Sequence, residues 1–317
     1  MAELNWNDAQ WQKVKDAVTE AFGKASIASA FLPMYGPLSG GAEIVRNERL
    51  EQDDASTPPT VKLDGDHPDV NLKLVNLTVR VELSSEQVAD ETLSNAILAF
   101  RRAGNILAQE EDRIVFGGFG QSPRGHDSEF VVNQVTPQRG LADLPARRRF
   151  SGFDGANIGQ AAVSAVVNAI HRLEDSFHPS PFACVLGNTL FDRVHDPSPS
   201  LVLPADRITP MLKGGPLLRS GKMEDNVGIV VSLAGNAVDI VVATPPTVQF
   251  LQRKEDAKFL FRVYERFALR IRDAAKPPVA GFRIRPTGQE RADERQQLQL
   301  VAAERKAAKA AQEIEDR

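Results

Sequence analysis

Three consecutive carboxylates, Glu110, Glu111 and Asp112, stand in the stretch LAQEEDRIVFGG and run directly into the apolar Ile114, Val115 and Phe116. Acids grouped in this way could ligate a hard cation, or divide the work of a general acid and a general base. Each chemistry demands partners. A dimetal site in a helical bundle takes a Glu-x-x-His pair from each of two helices, and the chain contains no such pair. His67, His126, His171, His178 and His195 fall in turns or beside helix ends without ligand spacing, so no metal is expected. A hydrolase would announce itself by a G-x-S-x-G elbow or a comparable context, and none is present. The glycine-rich turns GPLSGG and FGGFG lack the following Lys-Ser, or the strand-to-helix pattern, of a phosphate cradle. A hydrolase or metalloenzyme built on Glu110, Glu111 and Asp112 remains the chemical alternative. The structural reading starts from spacing: Glu111 falls four residues after Leu107 and three before Ile114, on the edge of a buried stripe. A partly buried carboxylate there requires a partner, either an arginine or backbone amides.

The element that carries these acids is the strongest helix in the chain. It is opened by Ser84 or Ser85 as N-cap, carries Leu93, Ile97, Phe100, Gly104, Leu107 and Ile114 on one stripe, and stops at Gly117-Gly118. A helix from Ser85 to Phe116 is about 45 Å long at about 1.5 Å per residue and crosses a whole domain. An earlier helix, from about Asn7 to Phe22 with Asn7 as its cap, has Trp11, Val14, Val18, Ala21 and Phe22 on one face. It is broken by the proline and glycine of FLPMYGPLSGG. Between the two helices an acidic, turn-rich stretch from Glu48 to Asp69 reads as a projecting arm. It feeds a strand over Leu72 to Leu83 in which Val75, Leu77, Val79, Val81 and Leu83 alternate inward.

After loop-rich sequence, a second amphipathic helix is expected over Ala156 to Asp175, then a buried strand in PFACVLGN and a helical turn over Thr189 to Val194. From Leu217 the pattern turns to strands. Gly235-Asn236 reads as the turn of one hairpin, Arg253 to Asp256 as the turn of another, and Val279 to Arg285 as a last extended piece. The residues beyond Pro286 form a charged tail, read as a solvated helix or an appendage for a partner.

Composition narrows the function classes. A chain of 317 residues, 42% of them hydrophobic, supports a real core, while a formal net charge of −4 gives no basic field for nucleic acid. The single cysteine, Cys184, excludes an internal disulfide framework and reads as a small core residue. No signal-like start and no run of about 18 apolar residues occurs, so a soluble cytoplasmic protein is expected, with no membrane partner. The arginines of ARRRF (Ala146 to Phe150) read as a solvated or interface feature.

Four stretches in colinear order resemble the encapsulins, the shell proteins of nanocompartments, and more distantly the major capsid proteins of tailed phages. They are WQKVKDAVTEAF with FLPMYGPLSGG, then LAQEEDRIVFGG, SPFACVLGNTLFDRV, and GIVVSLAGNAVDIVVATPPTVQFLQRKEDAKFLFRVYERFALRI. The second is similar to the family's most specific signature, here Glu111, Asp112, Phe116 and Gly118. The resemblance implies an α+β, tailed-phage (Hong Kong 97-type) major capsid fold. In it, residues 1–45 open a peripheral domain, 46–83 form the extended arm, 84–130 the spine helix, 131–226 an axial domain, 227–286 the peripheral strands and 287–317 the tail. It further implies a non-enzymatic icosahedral shell of the smallest triangulation number, built from identical copies, with pores at its symmetry axes. Such a shell encloses a ferritin-like or peroxidase cargo through a targeting peptide docked near the first helix, here on Trp11, Val14, Val18, Phe22 and Phe31. No cofactor is expected, and no flavin, because Ser84 and Ser85 stand where some members have a tryptophan. The rival from the same fold is a prophage or viral capsid subunit that packages DNA.

Overall fold

Asn7 starts the first helix, α1 (Asp8–Ala25), with a reciprocal capping box in a computed structural model of the chain. The Asn7 side chain accepts from the Gln10 amide at 2.9 Å, and the Gln10 side chain accepts from the Asn7 amide at 3.0 Å. The structure describes residues 4–39, 41–53, 57–67, 70–119, 129–132, 138–144, 148–151, 158–196, 202–254, 258–273 and 275–285. The expected tail over 287–317, residues 146–147 of the arginine run, the start expected for the second long helix at Ala156, His126 and part of the Arg253 to Asp256 turn lie outside the described residues.

Six strands follow α1: β1 (Met34–Tyr35), β2 (Ile44–Arg46), β3 (Arg49–Asp53), β4 (Thr60–Asp64), β5 (Asn71–Lys73) and β6 (Val75–Leu83). The described residues of the expected arm form two antiparallel ribbons, β2 with β5 and β3 with β4. Its root is tied to the body by the Leu50 amide, which donates to the Arg272 carbonyl at 2.7 Å. Along β6 the alternation is as expected, with Val75, Leu77, Val79, Val81 and Leu83 all buried.

The single helix expected over Ser85 to Phe116 is two helices, α2 (Ser85–Ala89) and α3 (Ser94–Gly117). Side chains of the DETLS segment compete with the helical ladder. The Asp90 carboxylate accepts from the amides of Thr92 and Ser94 (2.9 and 3.2 Å), and Leu93 takes a left-handed conformation with φ 56° while fully buried. The spine is thus about 36 Å long rather than 45 Å. Gly104 lets α1 lie against it, since a Cβ there would stand 2.9 Å from the Val18 carbonyl oxygen.

The second half contains β7 (Arg148–Ser151), α4 (Ile158–Asp175), β8 (Phe182–Leu186), α5 (Asn188–His195), α6 (Pro204–Ile208), β9 (Leu217–Arg219), β10 (Val227–Ser232), β11 (Val238–Arg253), β12 (Phe259–Ile271) and β13 (Val279–Arg285). One sheet has the order β1-β11-β12-β6 and the other β7-β13-β10-β8-β9. This overturns the first expected hairpin. Gly235-Asn236 turns the chain, with φ of 74° and 50°, but β10 and β11 enter different sheets. Their β-branched runs look alike, and only the available neighbours decide which edge each one joins: β10 pairs with β8 and β13, β11 with β12. The second hairpin, β11 with β12, forms as expected.

The period of two explains how the cores meet. In β10, Ile229 and Val231 face the cluster built by α1, α3 and the four-stranded sheet, while Val230 faces the cluster under α4, α5 and α6. In β8, Ala183 and Val185 divide from Phe182, Cys184 and Leu186 in the same way. Cys184 is wholly buried there, and burial pushes its thiol well above the usual range.

Candidate functional site

The corner after α1 needs acceptors that its own sequence lacks. Ser26 ends the helix, and apolar Ile27, in the capping position of the short 3₁₀ turn Ala28–Ala30, has no side chain to cap it. Asp112, at the far end of the spine helix, supplies the acceptors. The Ile27 amide donates to both carboxylate oxygens at 3.0 Å, and the Ala28 amide to Oδ1 at 2.8 Å. The Ser26 hydroxyl donates to Glu111 Oε1 at 3.1 Å and accepts from the Ser29 amide at 3.1 Å. At the corner the partners of Glu111 and Asp112 are therefore backbone amides and a hydroxyl rather than an arginine.

A third carboxylate completes the group. Glu265 occupies an inward position of β12, in line with Phe259, Phe261, Val263 and Phe267, and is 2% exposed, beside Glu111 at 3% and Asp112 at 2%. Glu265 and Glu111 stand within hydrogen-bond reach of one another, and two carboxyl groups share such a bond only while one of them keeps its proton. Burial, then the Asp112 charge, pushes Glu111 up to about 8; burial lifts Asp112 to about 6 against the pull of the two amides, Ser26 and Lys222. Burial and the Glu111 charge hold Glu265 well above the carboxylate range. Sequence reading missed Glu265, although its signal is plain once sought: a carboxylate in the buried register of an otherwise apolar alternation.

These acids do not form an open reactive site. Glu110 turns away to pair with Arg113. Glu111 and Asp112 are enclosed, and among the described residues no group of His, Cys, Asp or Glu could hold a metal ion. Phe116 stacks on Phe31 at 6.4 Å and 20°. Beyond it, Gly118 takes φ 80° and the chain returns alongside, with the Leu141 amide donating to Val115 and the Ala142 amide to Phe116 at 2.8 and 3.0 Å. The four signature positions, Glu111, Asp112, Phe116 and Gly118, thus lie where α1, the spine helix and the 138–142 segment meet.

The proposed peptide-docking residues separate. Val14 and Val18 are 0% exposed and Phe22 and Phe31 are buried too, all within the cluster shared with α3. The stripe that suggested a docking face is satisfied by the chain itself, so these four are not free for a peptide. Trp11 alone reaches the surface. It meets Trp6 edge-on at 5.2 Å and, with Asp8, Gln12, Lys15, Val248, Gln249 and Phe250, lines an open groove of about 540 Å³. A second apolar surface lies on the arm, where Val61 and Leu63 on one face of β4 are 66% and 57% exposed. Among the described residues, no helix is long and apolar enough to cross a membrane.

The model of the family described as "Encapsulating protein for peroxidase" (Linocin_M18) matches residues 3–268. The chain is 22% identical over 284 residues to the type 1 encapsulin shell protein EncA of Myxococcus xanthus (strain DK1622), covering 86% of this chain and 92% of that one. Among solved structures, the virus-like particle from Pyrococcus furiosus superposes with a TM-score of 0.63 at 15% identity, covering 86% of this chain and 98% of that one. The holo-SrpI encapsulin complex from Synechococcus elongatus PCC 7942 does so with a TM-score of 0.53 at 10% identity, covering 80% and 85%. At these identities the structures establish the fold, the α+β tailed-phage (Hong Kong 97-type) capsid fold.

Proposed function

This chain belongs to the Linocin_M18 family of encapsulating shell proteins, and on that premise we propose that identical copies close into an icosahedral shell of the smallest triangulation number, which encloses a cargo enzyme. The observation that carries the reading is the extent of the family match: residues 3–268 span α1, the arm, the spine and most of both sheets. The shell's work is enclosure, with chemistry left to the cargo and small solutes admitted through pores. The family description names peroxidase, so a peroxidase is the cargo assigned here. It docks by an apolar peptide in the groove beside Trp11 and Phe250. The compartment is cytoplasmic.

Within the shell, residues 46–83 serve as the arm that pairs with neighbouring copies, and residues 131–226 form the axial domain. The exposed Val61 and Leu63 support the first assignment, because such a face on a projecting ribbon is covered once a second copy lies against it. A net charge of −4 offers no field for packaged DNA and weighs against the phage-like alternative.

Electron microscopy of the purified full chain tests the proposal. Uniform hollow particles are expected; a stable monomer on a sizing column refutes it, and particles that absorb as nucleic acid favour the DNA-packaging reading. In the double variant Val61→Asp, Leu63→Asp, far-ultraviolet circular dichroism should be unchanged while particles are lost. Particles that persist in that variant would remove the role given to the arm face.

A further inference from the structure

Three carboxylates from two elements share one enclosed space at the corner after α1. The spine helix contributes Glu111 and Asp112, β12 contributes Glu265, and the corner itself contributes only the neutral Ser26 hydroxyl and two amides. Across the strand from Glu265 stands Leu77 of β6, fully buried and apolar. The opposite charge that acts on the group is Lys222, which reaches Asp112 from the segment before β10 while its ammonium donates to Gln109 at 3.4 Å. One oxygen of Glu265 is buried without a hydrogen-bond partner. Three full negative charges, each 2–3% exposed and with one half-buried lysine to offset them, are not sustained in an apolar enclosure. A proton must take the place of the missing countercharge.

We propose that Glu111, Asp112 and Glu265 form a proton-held latch: a proton bridging Glu265 and Glu111 binds the sheet to the spine helix, and its loss in alkaline solution releases the corner and with it α1. The device follows from connectivity. Glu111 is joined on one side to Glu265 and on the other to Ser26, so the bridging proton sits in a line that runs from β12 through α3 to the end of α1. When it leaves, Glu265 and Glu111 repel one another directly, and the line from the sheet to the end of α1 is broken at that pair.

The sign is fixed by the direction of the shifts. The folded form of each acid binds its proton more tightly than the unfolded chain does, so the latch contributes most below pH 4.5. Its contribution declines as Glu111 ionises at about 8, which leaves one proton shared by the pair, and it is lost when that bridging proton leaves as well at higher pH. The latch is therefore closed in acidic and neutral solution and open in alkali, the reverse of a carboxylate–arginine pair.

The chain provides its own reporter. Its two tryptophans, Trp6 and Trp11, seat α1 against the body at the opposite end of that helix, Trp6 by stacking on Phe261 at 5.0 Å. In purified, assembled full-length protein, tryptophan emission followed upward from neutral pH should shift to the red in a cooperative step. In Glu265→Gln, whose amide still donates to Glu111 but has no proton to lose, the step should move up by about one pH unit or more. Coincident steps in wild type and Glu265→Gln overturn the proposal. Should that variant fail to fold, infrared spectroscopy of the wild type decides: a carboxylic-acid carbonyl band present at neutral pH and lost together with the fluorescence step supports the latch. Absence of that band at neutral pH overturns it.

Discussion

Replacing Asp112 by alanine and by asparagine separates the two things this carboxylate does in the corner: accepting from the backbone and carrying a charge. Alanine strips the Ile27 and Ala28 amides of their acceptor. A buried donor left unpaired costs about 1–3 kcal/mol, so two cost about 2–6 kcal/mol. Against this stands the cost of the charge. Burial lifts Asp112 from 3.8 to about 6, and a rise of about 2 units at about 1.4 kcal/mol each costs about 3 kcal/mol once the group is ionised. Because the folded value is the higher one, that stability is fully present below 3.8, declines as pH rises toward about 6, and is then flat. Asparagine keeps one acceptor oxygen for the two amides and has no proton to lose. The expected outcome is therefore pH-dependent. Near pH 4, asparagine should lie within about 1 kcal/mol of wild type and alanine about 3 kcal/mol below it. Near pH 7.5, asparagine should match or exceed wild type by up to about 2 kcal/mol, and the deficit of alanine should shrink. Guanidinium midpoints followed by tryptophan fluorescence at one fixed protein concentration measure this, the concentration being held because assembly adds to apparent stability. Equal destabilisation by asparagine and alanine at both pH values would refute the reasoning, since the charge and not the acceptor would then hold the corner.

Two further perturbations probe the frame around it. Gly140→Ala places a Cβ 2.3 Å from the Gly118 nitrogen and 2.4 Å from the Phe116 carbonyl oxygen, rigid backbone on both sides. The cost should reach or exceed the upper end of the about 1–3 kcal/mol range for overpacking, and soluble yield on expression should collapse. Asp239→Ala removes both carboxylate oxygens that hold the buried Arg270 guanidinium, now bonded at 2.9 and 2.6 Å, and leaves its charge enclosed under Tyr35 with the Arg46 carbonyl accepting from it at 3.4 Å. A loss of about 3–5 kcal/mol in unfolding free energy is expected, with Asp239→Ala, Arg270→Met less damaged than the single variant, because the double change takes the stranded charge away.

What local sequence decides is visible in particular places. Asn7 and Gln10 make their capping box from neighbours three residues apart, so the start of α1 is legible in the chain. The alternation of β6 and the glycine stop after Phe116 are equally local, and the colinear motifs carried the family without any coordinates. The break at Asp90 to Leu93 was also written locally, in carboxylate-to-amide bonds two and four residues apart, but apolar periodicity runs through it and masks it.

Other features depend on what stands across a gap in space. The strands β10 and β11 read as two halves of one hairpin, and only the presence of β8, β13 and β12 as edges sends them to separate sheets. The stripe of Val14, Val18 and Phe22 could face a partner or the chain's own spine; Gly104 and the groove it opens for α1 settle that it faces inward, leaving Trp11 outside. The acid motif shows the same division most clearly. Spacing alone required Glu111 and Asp112 to find partners. Which partners they found, the amides after α1 and a second glutamate from β12, depends on contacts 84 and more residues apart in the chain, and no local pattern encodes a distance of that kind.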